Sequence, residues 1–182
     1  SVSIITSQDL ENTANVNDPL RNLVNIPGIQ YQQQSANSIN FEMRAGSGVF
    51  GTSVFPLLDY RFLQSPASGS LFAFQSGLSN LDIERVEIVR GAASALYGPG
   101  VESGVVHFFS KKAIDKPGTS IELIGGNLST LSAALRHAYS NDKKTFGFKV
   151  NAQYKRGDEF SLDPVENAGF LAQINGATAN GI

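Results

Sequence analysis

The residues of this chain whose types and spacing could do chemistry are two histidines, a glycine-rich turn, a few carboxylates and two strand-end arginines. His107 lies inside the apolar run GVVHFFS and His137 inside an alternating run, and neither has a nucleophile–base partner nearby in sequence. Each reads as a packed or interior-facing histidine, not a catalyst or ligand. Gly98-Pro99-Gly100 and Gly104 have the wrong spacing for a dinucleotide or P-loop site, and no Gly-Lys-Ser/Thr follows. Glycine's access to positive φ and the rigid Pro99 make them turn residues instead. Asp158, Glu159 and Asp163 are too loosely arranged for a calcium loop. No catalytic, metal or cofactor site is therefore expected, and the chain does not read as an enzyme. Arg44 and Arg90 are different: each ends a strand-like run beside a glycine or an alanine-glycine turn. Arg90 shares strand parity with Val86 and Ile88, a costly place for an unpaired charge. Its local candidate partners are Glu84, Glu87 and Glu42.

Composition narrows the class. The chain has 182 residues, no cysteine, 14 basic and 16 acidic residues, and 18 glycines. Disulfides and thiolate metal sites are excluded. Near-balanced charge without a basic stripe argues against nucleic acid. Frequent Gly, Asn, Gln and Ser suit turns and short strands better than a helical bundle. No apolar run approaches the roughly 18 residues of a membrane helix. Ser1 begins directly in strand-like sequence, so the chain reads as a mature or internal fragment.

The elements that must position those residues follow from periodicity. Residues 2–6 are β-branched and alternating, a strand. Ser7 is a candidate cap for a short helix through Leu10 and Glu11. Asp18-Pro19 starts a second helix with Leu20, Leu23 and Val24 on its apolar face, and Pro27-Gly28 ends it. Residues 40–45 place Phe41 and Met43 on one strand face, opposite Asn40, Glu42 and Arg44. Residues 54–59, 83–90 and 104–110 read as further strands. Three polar or glycine-rich connections, 30–38, 46–53 and 60–77, separate the early strands. They carry Tyr31, Gln33, Phe50, Phe62, Phe72 and Phe74. Such a mix of aromatic surface and amides suits a concave ligand site, and it equally suits packing against a neighbouring surface.

Pro117-Gly118 marks a boundary between residues 1–116 and 117–182. Beyond it the alternation lengthens. Phe146, Phe148, Val150, Ala152 and Tyr154 oppose Gly147, Lys149, Asn151, Gln153 and Lys155. Leu131, Ala133, Leu135, His137 and Tyr139 alternate with Ser132, Ala134 and Arg136. Membrane β-barrel strands require this apolar-out, polar-in pattern over about ten residues. A half-buried soluble sheet gives the same pattern. From Asp158 the pattern dissolves into polar sequence that reads as an outward-facing loop.

One long stretch decides between these readings. Residues 83–91 are IERVEIVRG, 94–98 are SALYG, 104–106 are GVV, and Lys111-Lys112 close the strand. This run closely resembles the end of the plug domain of TonB-dependent outer-membrane receptors. Residues 15–29 resemble the plug's helix-and-P-G stretch, and Arg44-Ala45-Gly46 resembles its strand-ending I-R-G with Ala45 inserted. Residues 54–59 resemble the plug strand that ends in D-G, but Tyr60 stands where the family has glycine. The resemblance implies an α+β plug, a small mixed sheet with short helices, followed by the first antiparallel strands of a transmembrane β-barrel. Barrels of this kind have about 22 strands around a plugged lumen. The 70 residues from 113 to 182 can supply three strands at most.

The resemblance also implies function. An external ligand binds above the plug, and TonB with its inner-membrane complex pulls on a box that would precede Ser1. Iron chelates, cobalamin, oligosaccharides and peptides are all open as ligands. The connections 30–38, 46–53 and 60–77 would form the floor of the ligand site. Arg44 and Arg90, with Glu84 and Glu87 beside them, would form a plug–barrel lock, the arginines pairing with wall carboxylates beyond Ile182. The outer face would meet outer-membrane lipid, and the plug would be reached from the periplasm. The alternative role is structural, in a larger outer-membrane assembly with a surface lipoprotein or other partner. A soluble α+β binding module is the third class.

Overall fold

A computed structural model describes residues 2–12, 18–35, 38–43, 54–63, 77–91, 97, 101, 104–161, 168, 169 and 172. Strand β1 (Val2–Thr6) runs into helix α1 (Ser7–Asn12). The cap is Thr6, not Ser7 as expected. The Asp9 N–H donates to Thr6 Oγ1 at 3.3 Å, while the Thr6 N–H and hydroxyl donate to Asp9 Oδ2 at 2.9 and 2.7 Å. A hydroxyl followed three residues later by an acid satisfies donors reciprocally at a helix start. The second helix is a 3-10 turn, Pro19–Leu23, with the Asp18 carboxylate accepting from the Leu20 N–H at 3.0 Å.

A five-stranded sheet has the order β1-β6-β7-β4-β5. It is built from β1, β4 (Val54–Leu58), β5 (Arg61–Phe62), β6 (Ile83–Arg90) and β7 (Gly104–Ser110). Only β4 and β7 pair in parallel; the other pairs are antiparallel. Val86, Ile88, Val106 and Phe108 face the main core with Ile5, Leu10, Leu20, Leu23 and Met43. Leu57, Val101 and Val105 form a smaller cluster, with Phe55, Val89 and Tyr97 packed on it. Apolar contact on both faces explains the nearly unbroken apolar run of β7.

A separate hairpin pairs β2 (Ile29–Ser35) with β3 (Ser38–Met43). Residues 30–38 are therefore mostly strand, not a connection. Their glutamines hide the alternation, because β2 presents Tyr31 and Gln33 to solvent and buries only Ile29 among its described side chains. Residues 60–77 also begin as a strand: Asp59 and Tyr60 form a two-residue hairpin turn, with Leu58 opposite Arg61. Both turn residues have positive φ, 45° and 67°, as the favoured right-twisting hairpin turn requires.

A three-stranded antiparallel sheet follows: β8 (Gly118–Gly126), β9 (Thr130–Ser140) and β10 (Gly147–Arg156). Ser132, Ala134, Arg136 and Ala138 of β9 are buried on the face towards the first sheet. The opposite face exposes Ile121, Leu123, Leu131, Leu135, Tyr139, Phe148, Val150 and Tyr154. Among the described residues no helix is long and apolar enough to cross a membrane, which says nothing about strands.

Candidate functional site

The two sheets meet at Asp82. The chain places it in a short 3-10 turn, Asn80–Asp82, immediately before β6. Among the described residues, the three side chains that donate to its carboxylate all come from β9 and β10. Arg136 Nε donates to Oδ1 at 2.8 Å, Lys149 Nζ to Oδ2 at 2.7 Å, and Asn151 Nδ2 to Oδ2 at 2.9 Å. Arg136 pairs with Asn151 across the strands and Lys149 with Ala138, so both cations and the amide share one small patch of the inward face.

Both cations of this patch are held at three points each. Lys149 uses its three donors on Asp82, on Ser110 Oγ at 2.8 Å and on the Lys111 carbonyl at 3.0 Å. Arg136 also reaches the carbonyls of Lys116 at 3.0 Å and Lys111 at 3.5 Å. Ser110 in turn is held by Asp59, which accepts from the Ser110 N–H and hydroxyl. Burial opposes the Asp59 charge. The two Ser110 bonds, with Lys149 and Arg61 nearby, outweigh it and hold the carboxyl below the usual range. Two carboxylates, Asp59 and Asp82, thus balance two cations, Arg136 and Lys149. The side chains of Arg136, Asp82 and Lys149 are 4%, 10% and 28% exposed. With three donors on the Asp82 carboxylate and an acceptor for each Lys149 proton, the arrangement holds the two surfaces together.

The expected site residues are distributed differently. Arg90 keeps the predicted parity, and its guanidinium donates to the Pro27 carbonyl and to Ser3 Oγ. Glu87 pairs with Arg85 at 2.7 Å. Glu84 sits at the register shift between Ile83 and Arg85. Arg44, Phe50, Phe72 and Phe74 lie outside the described residues. Tyr31 is 47% exposed on the β2–β3 hairpin. The base of that hairpin lies at the Gly104–Arg90 end of the sheet: a Cβ on Gly104 would meet Met43 Sδ, and one on Gly28 would meet Arg90. Phe62 lies near the other end, opposite Leu57 and against Phe55. The fold does not bring it to Tyr31 and Gln33.

His107 is fully buried and accepts a hydrogen bond from the Tyr60 N–H; His137, expected to be packed or interior-facing, is instead exposed on the outward face of β9 and bonded to Thr119, because it shares strand parity with Leu135 and Tyr139. Among the described residues no group of three or more His, Asp or Glu side chains is placed to hold a metal. Sequence reading missed Asp82 as the organising residue. The usable signal was two cations on the inward face, Arg136 and Lys149, which require an anion from elsewhere. At this junction β9 and β10 supply the cations and the turn before β6 supplies the acid.

Comparison with known proteins agrees with this architecture. The family model for the TonB-dependent receptor plug domain matches residues 1–105. The siderophore receptor PirA from Acinetobacter baumannii has a TM-score of 0.64 at 23% identity over 85% of this chain and 24% of its own. The alcaligin outer-membrane receptor FauA from Bordetella pertussis has 0.66 at 22% identity, over 87% and 26%. The copper transporter OprC has 0.66 at 16% identity, over 88% and 25%. The chain thus spans about a quarter of the length of these solved structures. It is an α+β plug with a mixed sheet, continued by the first strands of a barrel. With more than half its residues matched by that family model, the chain belongs to the TonB-dependent receptor plug domain family.

Proposed function

We propose that this chain is the plug and first wall strands of an outer-membrane transporter that takes up an external ligand by TonB-driven opening. We place the division between plug and wall at residues 116 and 117. The observation that carries the reading is the Asp82 junction, where a plug carboxylate is held by cations of the wall. Such a contact seats a plug and can be broken without covalent chemistry. The outward apolar face, including Ile121, Leu123, Val150 and Tyr154, fits contact with outer-membrane lipid. The plug is open to the periplasm, where TonB and its inner-membrane complex engage it.

PirA is a siderophore receptor and OprC a copper transporter, which favours a metal or metal chelate as ligand. Tyr31 and Gln33, at the end of the plug away from Asp82, are proposed to face that ligand. Arg44 and Arg90 are proposed to add a second hold on the rest of the wall, with Arg90 also bracing Ser3 and Pro27. Energised uptake tests the reading. Cells carrying the full-length receptor should accumulate a labelled metal chelate only when the energy-coupling complex is intact. Uptake that survives loss of that complex would reject it.

A further inference from the structure

The plug sheet has one residue in a conformation its side chain disfavours and one buried histidine, and the two touch. Tyr60 has φ of 67° next to Asp59 at 45°. Two-residue hairpin turns with positive φ at both positions favour Asn-Gly or Asp-Gly, because a Cβ at the second position is strained. The side chain of Tyr60 is therefore costly there, and something else must hold the turn. His107 does so. Its Nε2 accepts the Tyr60 N–H at 3.1 Å. The Tyr60 ring packs edge-on against it at 4.6 Å, and Phe109 stacks on it at 3.9 Å.

His107 has no exposed surface, and its Nδ1 is buried without a hydrogen-bond partner in the described structure. Because Nε2 accepts, the neutral ring carries its proton on Nδ1, where it meets no acceptor. Its flanking side chains on the strand, Val106 and Phe108, are apolar. A leucine at 107 would avoid the unmet donor, so what the histidine supplies is the acceptor for Tyr60. The turn it holds carries Asp59, which fixes Ser110, and Ser110 fixes Lys149 against Asp82.

We propose that His107 is a positioning residue: it holds the Asp59–Tyr60 turn in its left-handed form, and through Asp59 and Ser110 it sets Lys149 for the plug–wall junction. This rests on the reading of that junction as the plug's hold on the wall, but the turn itself can be read out separately. The device is sensitive to acid. A protonated imidazole cannot accept from Tyr60. The groups facing it are Glu87 and Arg85 from β6, Asp59 and Tyr60 from the turn, and Tyr97 over the same face. Burial pushes the His107 imidazole below its ordinary value, Glu87 and Asp59 oppose this, and Arg85 adds to it. The neutral form is thus the folded one. Its contribution is complete above the ordinary histidine range near pH 6.5 and is lost as pH falls through the lowered value.

The test is amide hydrogen exchange on the full-length receptor, following peptides that cover 57–63 and 104–112, in four proteins: wild type, His107→Leu, Tyr60→Gly and the double variant. His107→Leu should lower protection in both peptides by about 5- to 100-fold, the range spanned by releasing a backbone conformation that the tyrosine side chain disfavours. In the Tyr60→Gly background, where the turn needs no support, the same change should cost no more than about twofold. Wild type should lose protection factor between pH 7 and pH 5, and the double variant should not. Equal losses in both backgrounds, or the same pH profile in both proteins, would reduce His107 to ordinary packing and overturn the proposal. Should His107→Leu fail to fold with Tyr60 present, recovery by Tyr60→Gly supports the proposal, and failure in both backgrounds rejects it. Loss of protection confined to 57–63, with 104–112 unchanged, would also overturn it, by breaking the link to Ser110. Transport does not enter any of these outcomes, so they stand apart from the uptake test.

Discussion

Removing the Asp82 carboxylate should undock the plug from the first wall strands by an amount the geometry sets. In Asp82→Ala, Arg136 loses its 2.8 Å partner while its side chain is only 4% exposed. Leaving a buried charge without its counterion costs roughly 3–5 kcal/mol. The low end applies, because Arg136 keeps the carbonyls of Lys116 and Lys111. Lys149 loses a 2.7 Å partner but is 28% exposed and keeps Ser110 and Lys111, so its share is about 1 kcal/mol at most. The sum is about 3–4 kcal/mol, or roughly two to three orders of magnitude in the opening constant. Limited trypsin cleavage of the segment joining β7 to β8, which contains Lys111, Lys112 and Lys116, reads that constant in the full-length receptor. When closing is faster than cleavage, the rate follows the open population. Cleavage of Asp82→Ala should rise at least about 100-fold. A rise of less than about twofold would refute the reasoning. So would a triple apolar variant, Asp82→Leu with Arg136→Met and Lys149→Met, that is cleaved faster than Asp82→Ala. Replacing a whole buried charge set by apolar groups is usually near neutral, whereas orphaning one member is not.

Three further outcomes rest on the same geometry. Val150 lies near the middle of β10 on the outward face, and Phe148 near its end. Val150→Arg should impair barrel assembly by roughly 2–4 kcal/mol and Phe148→Arg by about 0–1, read as heat-modifiable gel mobility of the full-length protein; equal effects would count against the depth assignment. A Cβ on Gly104 would stand 2.5 Å from Met43 Sδ and 2.6 Å from the Val89 carbonyl. Met43 can shift but the β6 backbone cannot, so Gly104→Ala should cost about 1–3 kcal/mol in denaturant unfolding, and a neutral result would show that the strands separate freely there. Asp59 has a folded carboxyl held below its ordinary value, so its contribution is present above about pH 4 and lost as pH falls through the lowered value. Asp59→Asn should flatten that acid limb of the stability curve, and an unchanged limb would remove Asp59 from the network.

Local physics carried much of the sequence reading. Strand parity placed Arg90 with Val86 and Ile88, and Lys149 and Asn151 on the inward face, because side-chain direction alternates whatever the tertiary context. Asp18-Pro19 set the second helix start through bonds spanning two residues. The misses arose where the deciding partner was distant or the local pattern uninformative. In β2 the polar run QYQQQS offers no alternation to read, and its strand character comes from pairing with β3. Tyr60 at a position that favours glycine gave no sign of what holds the turn, since the compensating His107 lies 47 residues away. Asp82 is 54 residues from Arg136 and 67 from Lys149. Nothing in its own neighbourhood distinguishes it from an ordinary acid at the start of a strand.

A charged junction suits a plug better than an apolar one because its intact and broken forms differ little in free energy. Drying Asp82, Arg136 and Lys149 costs several kcal/mol per ion, which their mutual attraction repays only when geometry and hydrogen bonding are complete. Here they are complete: three donors meet the Asp82 carboxylate, and each Lys149 proton has an acceptor. The net hold is therefore small while the positional demand is strict, since displacing any one member exposes the others to the full desolvation cost. Apolar contact of the same area would resist separation without specifying where the surfaces sit, because the hydrophobic effect is non-directional. On separation, water entering the gap would rehydrate all three groups at once and return most of what breaking the pairs costs. Single substitutions such as Asp82→Ala consequently overstate the strength of the hold. The quantity that governs opening is the difference between wild type and the triple apolar variant, and a difference within about 1 kcal/mol would mark the junction as a device for placement more than for strength.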